Sequence, residues 1–549
     1  MTINLDVTLV RLDDEQILRR AKEENTFSFK HSLTQETVYH ALLKSQRRAV
    51  HRAIAEAMEE IYADRKGKMS DVLAYHWELA EVPDRARRYL FRAAQNALRS
   101  YSNQEALALL TRALAQSEGA KPQDLLALYQ ARAQVYEAQG QYDQAIADYQ
   151  AAKPLAHQAH RAIDECRMLS SIAWDLSLCG KFDEAVVIAE NAKACALEQQ
   201  DQMAVLRAYL VQGLAMQAKG QVNDAHAHLR TMLMGSQLSE QVVMEGESWY
   251  YLGILYDLMG RFGRAALCAK KAYAIKKGLS DHPGEILALF LRARTEGARG
   301  QYDAAFDALE LARTRSEEIH NLFGLAEYPN TRAWLAAELG DWQTAYALDQ
   351  AGLEVARQSF VRQPEINTLL NLFLDCAMLG KVEQAASYAS QLHAWMKNPE
   401  YGYHIWRWQL RYDDAHARLL MAQSCYDDAA KIVAQLLAGA EHTQSIKYQA
   451  RGLVLRAQIH IARGELNSAP EDLLTACHLA DGMNYVPVRI QARQWLARVY
   501  EKSDPGKAHQ YDTQATHIIQ ELDRQLKNTE LRHSFESGTG KFFANPHAN

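Results

Sequence analysis

Three positions recur in step along most of the chain: a glycine, an aromatic or aliphatic residue two positions later, and an alanine three positions after that. The first clear copy is Gly140, Tyr142 and Ala145. Six further copies follow at intervals of 40 residues and begin at Gly180, Gly220, Gly260, Gly300, Gly340 and Gly380. One step of 44 residues then leads to Ser424, and a step of 40 leads to Gly464. A fixed period of this length is typical of a repeat array rather than of one globular core.

Each recurring position has a structural role in a pair of packed helices. A small residue such as Ala133 lies seven positions before most of the glycines and lets two helices approach closely, although Phe373 breaks this rule. The glycine ends the first helix of the pair, because a left-handed cap conformation is easy for Gly. The aromatic residue packs under the turn, and the alanine begins the contact face of the second helix. The pattern therefore predicts repeated helix pairs.

The order of small residue, glycine, aromatic residue and alanine resembles the tetratricopeptide (TPR) pattern. The period of 40 departs from the usual 34 of TPRs, and HEAT and armadillo repeats, which run nearer 40–47, are the competing interpretation. The turn Gly140-Gln-Tyr-Asp-Gln-Ala145 favours TPR. With weaker copies on both sides, the resemblance implies an all-α, right-handed α-solenoid of about 11–12 TPR-like helix pairs with a concave inner face.

Residues 1–65 do not fit the repeat. They contain a run of spaced residues, Phe27, Phe29, His31, Leu33, Glu36 and Tyr39, followed by Arg47 and His51. This run resembles the end of the winged-helix region in STAND-type signalling ATPases, which include adenylate/guanylate-cyclase-linked ATPases and LuxR-type activators of the maltose-activator kind. In that family the run comes just before a TPR array. The alternative is a short strand or turn and an amphipathic helix that cap the solenoid.

These patterns predict four parts. We expect a winged-helix remnant or N-terminal cap at 1–65, short degenerate TPR-like pairs at 66–120, the regular 40-residue array at 121–480, and a degenerate last pair with a C-terminal tail at 481–549.

Composition and charge narrow the class of protein. The 549 residues are 48% hydrophobic and 23% charged, which is too apolar for a disordered chain. The net charge of −6 argues against a dedicated nucleic-acid binder, which needs clustered Lys and Arg. The seven cysteines form no C-x-x-C pair, and an odd number favours free thiols in a reducing compartment. No signal-peptide core or membrane-spanning stretch is evident, so we expect a cytoplasmic protein with no membrane association.

The search for catalytic motifs predicts that the chain is not an enzyme and holds no cofactor or metal. There is no G-x-x-x-x-G-K-[ST] phosphate loop, and Gly538-Thr-Gly-Lys-Phe542 has the wrong spacing for one. There is no G-x-S-x-G elbow and no H-E-x-x-H helix. His157 and His160 have a helical metal-ligand spacing, but a surface pair is the better interpretation. The basic run Lys44–Arg52 is interpreted as a solvated helix face, which in the family would face the ATPase.

The first helix of each pair lines the groove in TPR proteins. Positions about 2, 3, 6, 10 and 13 residues before each repeat glycine would face it, by the helical period. The resulting candidate partner-binding residues are Arg167, Trp174, Arg207, Gln217, Tyr250, Asp257, Arg294, Asn330, Trp334, Glu338, Arg411 and Arg451. A second cluster, Tyr401, Tyr403, His404, Trp406 and Trp408, lies in the 44-residue step. For each residue the alternative is ordinary packing between repeats.

The resemblance implies a non-catalytic binding module, the ligand- or protein-sensing regulatory part of a signal-transduction ATPase or transcription-regulator system. Its partner would be a protein or peptide, such as a P-loop ATPase or cyclase, or a small-molecule inducer, with no direct contact to nucleic acid. The alternative is a free-standing protein–protein interaction scaffold with no ATPase link. An enzyme whose site carries no recognisable motif is the third hypothesis.

Overall fold

The computed structural model describes residues 5–20, 26–62, 69–100, 102–359, 362–397 and 405–538. The chain divides into two compact units, Met1–Arg161 and Ala162–Asn549. Apart from one two-stranded sheet, the described residues form a solenoid of TPR-like helices, as predicted. Between α3 and α26 these residues form twelve consecutive helix pairs, three in the first unit and nine in the second.

The first unit begins with elements that do not repeat. Its helices and strands are α1 (Leu5–Asp14), β1 (Leu18–Arg20), β2 (Phe27–Phe29), α2 (Ser32–Ala41), α3 (Lys44–Ile61), α4 (Ser70–Leu79), α5 (Pro83–Arg99), α6 (Asn103–Ala115), α7 (Pro122–Ala138) and α8 (Tyr142–Gln158). The two strands are antiparallel, with Leu18 opposite Phe29. Lys44 and Arg52 of α3 are exposed, whereas Arg47 and Arg48 are half-buried. Lys44 pairs with Glu81 at 3.0 Å.

The second unit holds the rest of the array. Its helices are α9 (Ala162–Leu178), α10 (Phe182–Glu198), α11 (Gln202–Ala218), α12 (Val222–Leu238), α13 (Val242–Leu258), α14 (Phe262–Gly278), α15 (His282–Ala298), α16 (Tyr302–Glu318), α17 (Leu322–Glu338), α18 (Trp342–Gln358), α19 (Arg362–Met378), α20 (Val382–Met396), α21 (Ile405–Ala422), α22 (Tyr426–His442), α23 (Ile446–Ala462), α24 (Ala469–Met483), α25 (Val486–Tyr500), α26 (Pro505–Gln525) and α27 (Thr529–Gly538).

The repeat glycines end the first helices in the predicted way. All eight have positive φ, between 70° and 86°. Ser424, which replaces glycine in one repeat, also has a positive φ of 60°. The second helices end similarly but without glycine, as at Ser280 with φ 56°. In most pairs, therefore, each helix ends at a residue in the left-handed conformation. This residue is usually glycine after the first helix and a different residue after the second.

The small residues and the buried aromatic residues pack as the pattern requires. A Cβ on Gly253 would lie 2.8 Å from Cδ2 of Leu291, so a larger side chain would have to displace the Leu291 side chain. Tyr302, the aromatic residue of its repeat, is 1% exposed. Phe373, which breaks the small-residue rule, is fully buried, and its ring centroid lies 5.4 Å from that of Tyr412. The core therefore makes room for one large residue at that repeat.

The C-terminal helices of the second unit pack back onto its middle helices. Ser445 donates its hydroxyl to the carbonyl of Leu258 at 2.9 Å, and the backbone N–H of Ile446 donates to the carbonyl of Met259 at 3.2 Å. One repeat later, Asn484 donates to the carbonyl of Arg299 at 2.8 Å. A single hydrophobic cluster joins residues of α15–α17 to residues of α25–α27. The second unit therefore closes on itself, and its concave side becomes an interior.

The cysteines correct one expectation. Cys166 and Cys195 form a disulfide, with their Cα atoms 5.5 Å apart, so the prediction of seven free thiols is wrong. The two residues lie 29 positions apart on α9 and α10, where the helix pairing brings them face to face. The cysteine count therefore gives no argument for a reducing compartment. Among the described residues, no helix is long and apolar enough to cross a membrane.

Candidate functional site

Two adjoining cavities lie in the interior of the second unit. The centre of a water-sized sphere can occupy about 80 Å³ in the first and about 60 Å³ in the second. The residues common to both linings are Trp334, Asn371, Arg411, Lys447 and Tyr448. Most of the lining comes from the first helices of successive pairs, α13, α15, α17, α19, α21 and α23, because these form the inner layer of the solenoid.

Cationic side chains outnumber anionic ones in the first cavity. Arg294, Arg407, Arg411 and Lys447 line it, together with the carboxylates of Asp257 and Glu327. Arg294 and Asp257 form a loose ion pair at 3.7 Å. Burial and the guanidinium groups of Arg294 and Arg411 lower the pKa of Arg407 to about 10. Burial also raises the pKa of Glu327, so the balance of charge in the cavity is positive.

Arg411 is held in place by amide side chains. Its Nη1 donates to Oδ1 of Asn367 at 2.9 Å, and its Nη2 donates to Oδ1 of Asn371 at 2.5 Å. Asn371 in turn donates to the carbonyl of Asn330 at 3.2 Å and to Asp349 at 3.3 Å. This network joins four helices around one guanidinium group and fixes its orientation toward both cavities.

Several polar atoms at the first cavity have no hydrogen-bond partner among the described residues. They include Nδ2 of Asn330, Oγ1 of Thr331, Nε of Arg294 and Nη1 of Arg407. Asn330 is 6% exposed and Thr331 is 2% exposed. Since buried polar groups are nearly always hydrogen-bonded, these atoms are free to contact a ligand or water.

The charges of the second cavity, by contrast, are paired. Arg451 and Arg418 both contact the carboxylate of Asp414, with Nε of Arg451 at 3.2 Å and Nη2 of Arg418 at 3.5 Å. Burial alone would raise the pKa of Asp414, but the two guanidinium groups lower it to about 2. Glu338 accepts a hydrogen bond from the Tyr485 hydroxyl at 2.9 Å and pairs with Lys447 at 3.4 Å.

A pair of buried carboxylates lies beside the second cavity. Asp375 lines this cavity and Asp349 is fully buried behind it. Burial raises the pKa of both carboxyl groups well above the ordinary range. The raised pKa weakens the ionisation of both carboxyl groups, so they offset nearby cations less than ordinary aspartates would.

The structure brings together seven of the twelve candidate residues. Those that line one or both cavities are Asp257, Arg294, Asn330, Trp334, Glu338, Arg411 and Arg451. The other five lie away from the cavity linings. Arg167 pairs with Asp201 at 2.7 Å, and Arg207 lies over the ring of Trp174 at 5.9 Å. Gln217 and Tyr250 are buried in the packing of their repeats.

The sequence analysis missed several lining residues. Glu327 and Asp414 lie 13 and 10 positions before their repeat glycine or its Ser424 equivalent, so the spacing rule could have found them. Arg407 and Lys447 both lie 17 positions before, one helical turn beyond the positions considered. Their place in the first turn of α21 and α23 explains the omission.

The second predicted cluster is only partly described. Tyr401, Tyr403 and His404 lie outside the described residues. Trp406 lines the first cavity and donates its indole N–H to the carbonyl of Gln217 at 2.6 Å. Trp408 donates to Oδ1 of Asn367 at 3.2 Å. The described part of this cluster therefore supports the wall of the cavity.

Within the described ranges, no group of three or more His, Cys, Asp or Glu side chains is arranged to hold a metal ion. Gly538 packs against the backbone of Leu339 and Gly340, and the rest of the glycine-rich segment lies outside the described residues.

Comparisons with known proteins found no matching family model and no matching curated protein. Among solved structures, a Rap protein complexed with competence and sporulation factor is 11% identical over 80% of this chain and 99% of that chain, with a TM-score of 0.36. A Cut9–Hcn1 hetero-tetramer of the APC/C is 16% identical over 91% and 94%, with a TM-score of 0.41. A STAND protein from Pyrococcus horikoshii with a tetratricopeptide repeat sensor is 14% identical over 64% and 55%, with a TM-score of 0.33.

Proposed function

We propose that the chain is a non-catalytic binding module that senses a small ligand or short peptide in the interior of the second unit. In this proposal it is the regulatory part of a cytoplasmic signal-transduction ATPase or transcription-regulator system. The observation that carries the proposal is the pair of adjoining cavities, because polar side chains of six successive first helices converge there. A ligand that touches all six helices would bias the packing of the whole closed turn.

The chemistry of the lining favours binding over catalysis. Guanidinium, amide and indole groups dominate the first cavity, and they donate hydrogen bonds and offer flat surfaces for stacking. Aromatic and arginine side chains are also the residue types that contribute most at binding interfaces.

A separate surface of the first unit supports the expectation of a protein partner. Helix α2 has no buried residue, and with α3 it exposes six large apolar side chains, which we call the N-terminal face: Leu33, Val38, Leu43, Val50, Ile54 and Ile61. An exposed apolar surface is often an interaction site in soluble proteins. The resemblance of this segment to STAND ATPases makes a P-loop ATPase or a cyclase the proposed partner of the N-terminal face.

The test is capture from a native lysate followed by mass spectrometry of proteins and small molecules. We expect a P-loop ATPase, a cyclase or a DNA-binding regulator to be recovered, and expect Leu33→Ser with Val38→Ser to release it. Both residues are exposed, so these changes leave the fold intact. We also expect a small molecule or peptide in the eluate that Thr331→Val loses.

A matched control is Thr314→Val, on the exposed face of α16, which should change neither result. Recovery of unrelated proteins alone, with no dependence on the N-terminal face, would instead identify a free-standing scaffold. Retention of the small ligand by both threonine variants would show that the first cavity is not its site.

A further inference from the structure

The first cavity concentrates positive charge in a chain whose net charge is −6. Four cations and two carboxylates line it, and burial weakens the ionisation of Glu327. Like charges in a low-dielectric interior repel strongly unless something compensates them. In the second cavity the cations are compensated by ion pairs. Asp414 pairs with Arg418 and Arg451, and Glu338 pairs with Lys447.

Arg407 is compensated only in part, by the carboxylates of Asp257 and Glu327. Its Nη1 atom is buried and has no hydrogen-bond partner among the described residues. Its charged neighbours include the cations Arg294 and Arg411, which lower its pKa, and the carboxylate of Asp257, which raises it. Arg294 has an unpartnered Nε, and its ion pair with Asp257 is loose at 3.7 Å. Two arginines that line one cavity therefore each keep a donor without a hydrogen-bond partner among the described residues.

Two neutral residues on α17 line the same cavity. Thr331 and Asn330 line the first cavity, are more than nine-tenths buried, and leave Oγ1 and Nδ2 without partners. Both groups can donate a hydrogen bond. Trp334 and Trp406 complete the wall with flat apolar surface. The free groups are thus donors and cations, and the uncharged part of the wall is aromatic.

We propose that the ligand of the first cavity carries an oxyanion, a carboxylate or a phosphate, that binds to Arg407 and Arg294 with Asn330 and Thr331 as further donors. This inference rests on the proposed function and specifies the chemistry of its ligand. Guanidinium groups bind planar carboxylates and phosphates with paired hydrogen bonds, which accounts for two arginines at one point. The two tryptophans would contact the uncharged remainder of the ligand.

The test is titration of the full chain with inorganic phosphate and, separately, with citrate, each against sodium chloride at equal ionic strength. Binding is followed by calorimetry and by thermal unfolding. We expect saturable stabilisation by at least one of the two anions. A response to phosphate alone identifies a phosphate ligand, and a response to citrate alone identifies a carboxylate.

Two arginine variants provide the matched comparison. Arg407→Met removes a cation that is compensated only in part, so it should raise the unfolding temperature of the ligand-free chain and weaken anion binding about tenfold or more. Arg451→Met leaves Asp414 with one partner fewer, so it should lower the unfolding temperature but keep the anion response. Thr331→Val should weaken anion binding with no loss of stability, because its hydroxyl has no partner.

The inference is overturned if neither anion stabilises the protein more than chloride does, or if Arg407→Met and the wild type respond equally. If binding of a native ligand depends on Thr331 but not on Arg407, the oxyanion proposal is wrong and the proposed function still holds. Anion binding that depends on Arg407, with no ligand or partner recovered from the lysate, would support the oxyanion and contradict the sensing role.

Discussion

Asp303 joins the C-terminal helix of the second unit to its middle. Its carboxylate accepts the backbone N–H groups of Lys527 at 2.8 Å and Asn528 at 3.1 Å, just before α27 begins. A hydrogen bond to a charged group contributes about 1.5–3 kcal/mol when well shielded. Because these bonds are partly exposed to solvent, we take about 2 kcal/mol for the two together. Asp303→Ala should destabilise the docking of α27 by that amount.

The assay is hydrogen exchange of the amides of α27 measured by mass spectrometry. A loss of about 2 kcal/mol corresponds to exchange that is about 30-fold faster. Asp307→Ala, on the exposed face of the same helix, is the control and should leave exchange unchanged. Leu531 and Phe535 still anchor α27 in the hydrophobic cluster, so the helix should loosen rather than unfold. Unchanged exchange in Asp303→Ala would refute the closure of the second unit through this contact.

Three further predictions concern stability. Cys166→Ser should lower the unfolding free energy of the repeat that holds α9 and α10 by about 3–4 kcal/mol, the chain-entropy value for a 29-residue loop. Denaturant titration measures this change, and an unchanged unfolding free energy would show that the disulfide does not form in solution. Burial raises the pKa of Asp413 to about 6, so the wild type should lose stability more steeply than Asp413→Asn as pH rises from about 4 to 6. Parallel pH profiles of the two proteins would contradict this assignment. Gly253→Ala should destabilise the protein by about 1–3 kcal/mol because its Cβ would meet Leu291 at 2.8 Å. Gly263→Ala, with open space around it, should not destabilise the protein, and equal shifts in unfolding temperature would refute the close approach at Gly253.

The repeat period carried most of the information about the fold. It located the helix pairs because each glycine, aromatic residue and alanine acts within one pair or between neighbours. The closure of the second unit could not be predicted from the repeat period. It depends on the small rotation between successive repeats, which accumulates over five repeats before Ser445 meets Leu258. The disulfide was missed for a related reason, since only the pairing of α9 with α10 brings Cys166 to Cys195.

The candidate site could be predicted in part for the same reason. Positions on the inner face of the first helices follow from the helical period, and Arg294, Trp334 and Arg411 were found that way. The period does not tell which repeats line a cavity and which are covered by packing, as Gln217 is by Trp406. It also gives no sign of charge compensation, which is what distinguishes Arg407 from Arg451. The four-part division of the chain stays a prediction.

The most direct test of the sensing role is hydrogen exchange of the full chain with and without the small-molecule and peptide fraction of its native lysate. The account predicts protection on the inner first helices α15, α17, α21 and α23, lost in Arg407→Met together with Thr331→Val. Protection confined to the outer helices of the pairs, or to the N-terminal face alone, would contradict the claim that the interior of the second unit is the binding site.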